Sequence, residues 1–250
     1  MTQIMSLSAA CRHDEGMAPA TASAWLNPGI VAGFATSAPN PHLIEYARRQ
    51  ARGSSPLAIL DIGCGAGRNA VPLALSGANV IGTDLSLPML QAARDRTDCS
   101  GLQLAVAPMD ALPVPDRSID LVIAHGIWNL ARSGAEFRRA VAEAARVAAP
   151  GAALFVFTFS RSTLARHAMP IAGEPFVFTQ FSGQPQVFLT CEQLFFELQA
   201  VGFDPDPAWP WRELNAPPPG QVRICGVPVI HEAAFRKNWS MSDVDDNSSR

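Results

Sequence analysis

Short apolar runs alternate with longer segments of helical spacing through the middle of the chain. The apolar runs cover residues 57–62, 78–83, 102–107, 119–124 and 153–159, and glycine, proline or aspartate bounds them. Runs of this length are typical of strands that are buried on both faces of a parallel sheet. Helical segments lie between them at about 67–76, 87–96 and 134–148. This alternation predicts an α/β fold with a doubly wound, mostly parallel sheet and helices on both faces, whose ligand crevice lies at the carboxyl ends of the strands.

Capping signals add the remaining elements. Asn40-Pro41 predicts a helix over about 41–52, because Asn is a favoured N-cap and Pro suits the first helical position. Capping boxes begin at Ser133 and Thr190, and the second segment stops at Gly202. Residues 209–215 and 222–237 look like two strands joined by the turn P-P-P-G. They predict a closing C-terminal β-hairpin that completes a seven-stranded sheet.

The ends of the chain differ from its centre. Residues 1 to about 24 are rich in Ala, Ser, Thr and Met without a sustained period, so we expect residues 1–40 to be a flexible N-terminal segment. Residues 41–240 are predicted to form one domain. The polar, acidic residues 241–250 (M-S-D-V-D-D-N-S-S-R) are predicted to be a disordered tail.

Composition and charge narrow the classes of partner. The chain has 250 residues, 48% of them hydrophobic, and a formal net charge of −3, so no broad basic face for nucleic acid is expected. Its five cysteines are scattered without a C-x-x-C pair, which argues against a disulfide framework and a structural metal site. No signal peptide and no apolar run long enough to span a bilayer is present. We expect a soluble, cytoplasmic protein without a membrane partner, and the sequence does not predict its oligomeric state.

A glycine-rich turn follows the first predicted strand. Residues 61–69 read D-I-G-C-G-A-G-R-N, in which Gly63, Gly65 and Gly67 let backbone N–H groups and a helix N-terminus approach a ligand closely. Dinucleotide sites use such a turn, but they need glycine at the position that Arg68 occupies. The pattern therefore favours another cofactor class, although a nicotinamide-dependent reductase stays open as an alternative.

The segments I-L-D-I-G-C-G-A-G and N-V-I-G-T-D, at the ends of the first two predicted strands, resemble the class I S-adenosylmethionine-dependent methyltransferases over about residues 57–159. The resemblance implies that Asp61 and Gly63 lie beside the methionine part of S-adenosyl-L-methionine. It implies that Gly65 and Gly67 allow the close approach of this cofactor, and that Asp84 accepts hydrogen bonds from both ribose hydroxyls. The physical chemistry agrees, because a cationic sulfonium without phosphates tolerates a carboxylate at Asp61.

The resemblance also suggests contacts to adenine. Leu85 follows the ribose-binding acid, and the segment P-M-D-A-L-P brings Met109 and Asp110 to the stretch where family members contact adenine. Asp110 stands closer to Leu-Pro than the acid of many members does. The alternatives are that Leu85 packs in the core, that Met109 is plain packing and that Asp110 solvates the loop.

His125 stands directly after the fourth predicted strand, where the crevice rule places it near the methyl donor. Methyl transfer is a direct in-line displacement, and the enzyme mainly holds donor and acceptor in the right orientation. His125 is the candidate general base for an acceptor that loses a proton, or it merely lines the pocket. Cys64, within the glycine loop, is interpreted as a small packing residue.

Two further segments are candidates for covering an acceptor. Residues 160–190 form a long connection in which Phe176, Phe178 and Phe181 either contact an acceptor or form a strand that packs on the core. Trp25 and Phe34 could belong to an N-terminal lid, which family members often have.

The predicted function is methyl transfer to a small-molecule acceptor. The segment 65–69, G-A-G-R-N, is weakly similar to the tellurite-resistance methyltransferases of small-molecule type. Whether O, N, S, C or a metalloid is methylated stays open, and a non-catalytic protein that binds S-adenosylmethionine is a further alternative.

Overall fold

The computed structural model describes residues 25–51, 55–217 and 227–238. Its helices are α1 (Pro28–Thr36), α2 (Pro41–Gln50), α3 (Ala70–Leu75), α4 (Leu87–Arg94), α5 (Gly134–Val147) and α6 (Cys191–Gln199). Its strands are β1 (Ala58–Ile62), β2 (Asn79–Asp84), β3 (Leu102–Val106), β4 (Ile119–His125), β5 (Ala148–Phe159), β6 (Val177–Phe178), β7 (Gln186–Val187), β8 (Phe203–Pro205), β9 (Arg212–Leu214) and β10 (Ile230–Lys237). The alternation of strands and helices follows the prediction from the apolar runs.

One eight-stranded sheet forms the centre of the described structure, in the order β3-β2-β1-β4-β5-β10-β8, with β9 pairing β10. Strands β1 to β5 are parallel to one another, while β10 is antiparallel to β5, β8 and β9. The prediction of a doubly wound, mostly parallel sheet with antiparallel strands at its C-terminal edge is confirmed. The count differs from seven, because the short strand β8 directly after α6 carries too few residues to show a pattern.

Hydrophobic clusters cover both faces of the sheet. One contains Phe137 and Leu194 from α5 and α6, and the other contains Leu43 and Leu73 from α2 and α3. Successive side chains along a strand point to opposite faces, so every second residue of β1, β4, β5 and β10 faces α2 and α3. This face is the one that carries the polar residues of the candidate site.

Residues 28–36 form helix α1, although the whole N-terminal segment was expected to be flexible. Asn27 caps the helix by accepting a hydrogen bond from the backbone N–H of Gly29 at 2.8 Å. The helix packs against α4, and the hydroxyl of Ser86 donates to the backbone carbonyl of Trp25 at 2.8 Å. Its short apolar sequence, P-G-I-V-A-G-F-A-T, has no helical period that would reveal it.

The connection between β5 and α6 packs on the core rather than standing open. Phe176 and Phe178 are buried, and Val177-Phe178 pairs with Gln186-Val187 in a small antiparallel sheet. For these two phenylalanines the alternative of a strand that packs on the core is the one the structure shows. Phe181 is partly exposed and contacts Phe159 edge-on, with ring centroids 5.4 Å apart.

The predictions for residues 1–24 and for the tail 241–250 lie outside the described residues, as does most of the turn in the C-terminal hairpin. Within the described ranges, no helix has the length and apolar character that a bilayer crossing requires.

Candidate functional site

The glycine loop joins β1 to α3, and its backbone requires glycine. Gly63, Gly65 and Gly67 all have positive φ, at 68°, 54° and 72°, a region that residues with a Cβ rarely adopt. A Cβ on Gly63 would lie 2.6 Å from Cδ1 of Ile127, and a Cβ on Gly67 would lie 2.8 Å from Cγ2 of Val71. Above Gly65 the nearest atom is Cδ1 of Phe34, at 4.0 Å. The loop therefore packs tightly against neighbouring side chains at Gly63 and Gly67. At Gly65 there is room between the loop and helix α1.

Asp61 lies on β1 just before this loop, on the face that α2 and α3 cover. Its side chain is 2% exposed, and its Oδ2 atom has no hydrogen-bond partner among the described residues. Burial raises the pKa of Asp61 to about 7, although the nearby cation of Arg68 opposes this shift. A buried carboxyl oxygen without a donor costs free energy unless a ligand satisfies it. Asp61 thus has an unsatisfied acceptor that points to a cationic or hydrogen-bond-donating ligand.

Asp84 ends β2, and two backbone N–H groups orient its carboxylate. Gly65 N donates to Oδ2 at 2.9 Å and Ser86 N donates to Oδ1 at 2.8 Å. Burial raises the pKa of Asp84, and these two hydrogen bonds oppose the shift. Since each carboxylate oxygen can accept two hydrogen bonds, acceptor capacity remains for a ligand with paired hydroxyls. The neighbouring Leu85 is 69% exposed, which excludes the alternative that it packs in the core.

The two candidates at the end of β3 have other contacts. Met109 packs against the cluster on the α5 and α6 face, as its packing alternative predicted. Asp110 accepts a hydrogen bond from Nε of Arg139 on α5 at 3.0 Å. The carboxylate of Asp110 therefore forms an ion pair with a cation that the sequence does not place near it. It is neither a free acid nor an acid that only water contacts. The adenine contact that we predicted for this residue would compete with this ion pair, and it stays a prediction.

His125 ends β4, and its ring stacks on Phe157 with centroids 4.1 Å apart and planes 9° from parallel. The guanidinium of Arg68 lies 3.0 Å from Nδ1, and the amide nitrogen of Asn40 lies 3.2 Å from Nε2. Burial and the charge of Arg68 lower the pKa of His125 to about 3. A neutral imidazole has one lone pair, and whichever nitrogen carries it faces a donor. His125 is thus poorly suited to the general-base role, and its contacts agree with the pocket-lining alternative.

A second polar cluster lies beside His125, and the sequence interpretation missed it. Glu232 on β10 is fully buried and contacts three donors: Nδ2 of Asn40 at 3.0 Å, Nδ1 of His42 at 2.8 Å and Nη2 of Arg212 at 3.3 Å. We refer to Asn40, His42, Arg212 and Glu232 as the carboxylate cluster. An acid within the apolar strand segment V-I-H-E-A-A-F was the signal available in the sequence.

Strand register explains why these residues meet. His125 on β4 is in register with Phe157 on β5, Phe157 with Glu232 on β10, and Glu232 with Arg212 on β9. Side chains in register on neighbouring strands point to the same face, so the four residues form a row across the sheet. The N-terminus of α2 lies over this row, because Asn40 contacts His125 and Glu232 and its backbone N–H donates to Asn69 Oδ1 at 3.0 Å. One crevice therefore contains both the glycine loop and the carboxylate cluster.

Comparison with known proteins agrees with this geometry. A family model described as "Methyltransferase domain" matches residues 60–156, which run from β1 through most of β5. This range contains the glycine loop, Asp61, Asp84 and His125. Residues 60–156 match this methyltransferase family, which confirms the resemblance to the class I S-adenosylmethionine-dependent methyltransferases. Its cofactor is S-adenosyl-L-methionine, as the resemblance of the glycine loop predicted.

Individual relatives carry the same domain. The demethylmenaquinone methyltransferase of Thermus thermophilus is 39% identical over 110 residues, which cover 42% of this chain and 48% of that protein. The malonyl-[acyl-carrier protein] O-methyltransferase of Methylococcus capsulatus is 32% identical over 60% of this chain and 53% of its own length. A probable tRNA methyltransferase 9B of Homo sapiens is 26% identical over 80% of this chain and 40% of its length. The chain thus spans about half the length of these curated relatives.

A solved structure shows that the methyltransferase fold extends beyond the matched range. The S-adenosylmethionine-dependent methyltransferase from Methanosarcina mazei superposes with a TM-score of 0.63 at 21% identity, covering 81% of this chain and 100% of that chain. At this identity the likeness concerns the fold alone. Among the described residues, no group of His, Cys, Asp and Glu has the arrangement of a metal site.

Proposed function

We propose that this chain transfers a methyl group from S-adenosylmethionine to a small-molecule acceptor by direct in-line displacement. The observation that carries the proposal is the buried Asp61 Oδ2, which lacks a partner among the described residues and lies directly before the glycine loop. S-adenosylmethionine supplies a methyl group on a cationic sulfonium, together with an ammonium group that can donate to this oxygen. A pyrophosphate would instead be repelled by Asp61, which disfavours the nicotinamide alternative.

The residues of the chain divide the binding of the cofactor among them. Asp61 would accept from the ammonium group, and the backbone of Gly63, Gly65 and Gly67 would line the methionine chain. Asp84, whose carboxylate is oriented by Gly65 N and Ser86 N, would accept from the ribose hydroxyls. These assignments extend to Leu85, whose exposed side chain adjoins Asp84 and offers an apolar surface to adenine.

Arg68 takes a role that the sequence interpretation did not give it. Its guanidinium donates to His125 and is close enough to Asp61 to influence the pKa of that carboxyl. A guanidinium has five donors, and a carboxylate is its best partner. We propose that Arg68 binds the carboxylate of the methionine part, so that Asp61 and Arg68 together select an α-amino acid group.

The acceptor end of the crevice favours a small organic molecule. His125 and Phe157 form a stacked pair, and the carboxylate cluster lies beside it within the sheet, so apolar and charged groups occur together at this end of the crevice. With a net charge of −3, the chain offers no excess of cations for a phosphate backbone. The described cysteines Cys64, Cys99 and Cys191 are free thiols, in keeping with the proposed cytoplasmic setting.

The experiment that tests the proposal is transfer of labelled methyl from S-adenosylmethionine to a panel of phenols, hydroquinones, carboxylic acids, amines and thiols, with unmodified tRNA as a separate arm. We expect label in at least one small acceptor and none in tRNA. The variant Asp61→Asn is assayed in the same way. Its matched control is Asp98→Asn, which changes an exposed acid remote from the site. Label in tRNA alone would contradict the small-molecule proposal, and absence of transfer to every acceptor despite cofactor binding would favour a non-catalytic binding protein.

A further inference from the structure

We infer that His42, oriented by the buried carboxylate of Glu232, accepts the proton that the methyl acceptor loses during transfer. The inference deepens the proposed function and rests on it, because it concerns the acceptor end of the same crevice. It also assigns the acceptor class: a small molecule methylated on a hydroxyl oxygen, such as a phenol or an enol.

The first argument is the tautomer of His42. Its Nδ1 atom lies 2.8 Å from Oε1 of Glu232. Two further nitrogen donors, from Asn40 and Arg212, contact the same carboxyl group. An ionised carboxylate can only accept hydrogen bonds, so each of its three nitrogen partners must donate one. Nδ1 of His42 must therefore carry a proton. In the neutral ring the lone pair is then on Nε2, for which the described residues provide no hydrogen-bond partner.

The second argument is exposure and position. The side chain of His42 is 42% exposed, whereas that of Glu232 is fully buried. His42 is the second residue of α2, and the preceding Asn40 contacts both Glu232 and His125 through its Nδ2 atom. The imidazole of His42 thus lies at the open end of a network that extends to the residue ending β4. In the proposed arrangement the acceptor lies next to this network, between His42 and His125.

The third argument is that the two histidines differ in their surroundings. Both ring nitrogens of His125 face donors, and burial beside Arg68 keeps its imidazole neutral. His42 has a carboxylate behind it, which stabilises the imidazolium that forms when Nε2 takes a proton. Arg212, the cation that contacts Glu232, also lies in this network, whereas Arg68 is assigned to the carboxylate of the cofactor.

The step balances without a further reactant. The acceptor oxygen forms a bond to the methyl carbon, while the carbon–sulfur bond breaks and its electron pair stays on sulfur. The hydroxyl proton passes to Nε2 of His42, and the imidazolium later releases it to water. His42 is then a catalytic residue, and Glu232 is a positioning residue that acts through it.

A chemical test needs no acceptor. Diethyl pyrocarbonate acylates the unprotonated nitrogen of accessible imidazoles, and peptide mass spectrometry gives the rate for each histidine. We expect His42 to react faster than His125 and to react several-fold more slowly in Glu232→Gln, while exposed His167 keeps its rate as an internal control. An unreactive His42, or a rate for His42 that is unchanged in a folded Glu232→Gln protein, would overturn the assignment.

A kinetic test uses phenol and hydroquinone as hydroxyl acceptors and thiophenol, which is ionised at the assay pH, as a thiolate acceptor. We expect His42→Asn to lower kcat on the hydroxyl acceptors by ~10²–10⁴ with the cofactor KM nearly unchanged, and to change the thiolate reaction little. Free imidazole should restore part of the turnover of His42→Ala, and His167→Asn should behave as wild type.

The outcomes separate the inference from the proposed function. Full turnover of His42→Asn on a hydroxyl acceptor would overturn the inference and leave methyl transfer intact. So would a wild-type protein that methylates only thiols, or equal losses on hydroxyl and thiolate acceptors. Failure of the wild-type protein to methylate any acceptor would overturn the proposed function, and the inference with it.

Discussion

The buried carboxylate of Asp61 destabilises the protein without cofactor but can bind the cofactor. The substitution Asp61→Asn measures the size of this destabilisation. Burial raises the pKa of Asp61 from 3.8 to about 7 in the folded protein. In the unfolded chain the carboxyl loses its proton near its ordinary value. Between these two pH values the folded protein therefore holds the additional proton, and the free energy of unfolding falls as the pH rises from about 4 through 7.

The size of the effect follows from the same shift. One pKa unit corresponds to about 1.4 kcal/mol, so ionised Asp61 lowers the free energy of unfolding by up to about 4 kcal/mol above pH 7. Asn cannot ionise, so the difference in stability between Asp61→Asn and wild type should grow by up to that amount between pH 4 and pH 8. The constant cost of burying the amide cancels in this comparison.

Urea unfolding at several pH values measures the difference directly. His125 titrates with the opposite sign, because its depressed pKa removes stability as the pH falls below about 6.5. Comparing the two proteins at each pH removes this contribution, and Asp98→Asn serves as a control with an exposed acid. S-adenosylhomocysteine should reduce the advantage of Asp61→Asn at pH 8, since the variant loses a charged hydrogen bond to the ligand worth about 1.5–3 kcal/mol. A stability difference that stays constant with pH would refute the conclusion that Asp61 is desolvated.

Three further predictions concern the same crevice. Asp84→Ala should weaken binding of S-adenosylhomocysteine by about 1.5–3 kcal/mol in calorimetry, and unchanged affinity would remove Asp84 from the site. Gly63→Ala should lower the melting temperature more than Gly77→Ala does. Both positions have positive φ, but of the two only Gly63 would place the new Cβ within 3 Å of another side chain, that of Ile127. Equal losses would contradict the tight packing of the loop against Ile127. The imidazole NMR signals of His125 should not titrate between pH 5 and 8, because its pKa is lowered to about 3, and a midpoint in that interval would restore it as a candidate base.

Local sequence patterns predict most of the fold. The contacts that bring distant residues together depend on strand register, which the sequence does not show. The five parallel strands have apolar runs with clear boundaries, and the glycine loop has a residue pattern that few other turns need. The pair of His42 and Glu232 joins positions 190 residues apart, and it forms only because β10 lies beside β5 and α2 begins above both. No periodicity in either segment records that contact.

The same reasoning explains why the sequence did not reveal the contacts of Asp110 and His125. Asp110 was judged from its distance to Leu-Pro along the chain, whereas its partner Arg139 comes from a helix that follows a whole strand later. His125 was placed correctly at the end of β4, but the donors that cover its ring nitrogens come from Arg68 and Asn40. Residue type and position along a strand indicate where a side chain lies, and its proton affinity depends on neighbours that the tertiary structure supplies.

Isothermal titration calorimetry with S-adenosylhomocysteine and NADPH tests the central claim most directly, because it asks which cofactor the glycine loop accepts before any acceptor is known. We expect S-adenosylhomocysteine to bind one site with a Kd of about micromolar or tighter, and Asp61→Asn to weaken this binding while Asp98→Asn does not. Tighter binding of NADPH, or no binding of S-adenosylhomocysteine to the folded protein, would contradict the assignment of Asp61, the glycine loop and Asp84 to an S-adenosylmethionine site.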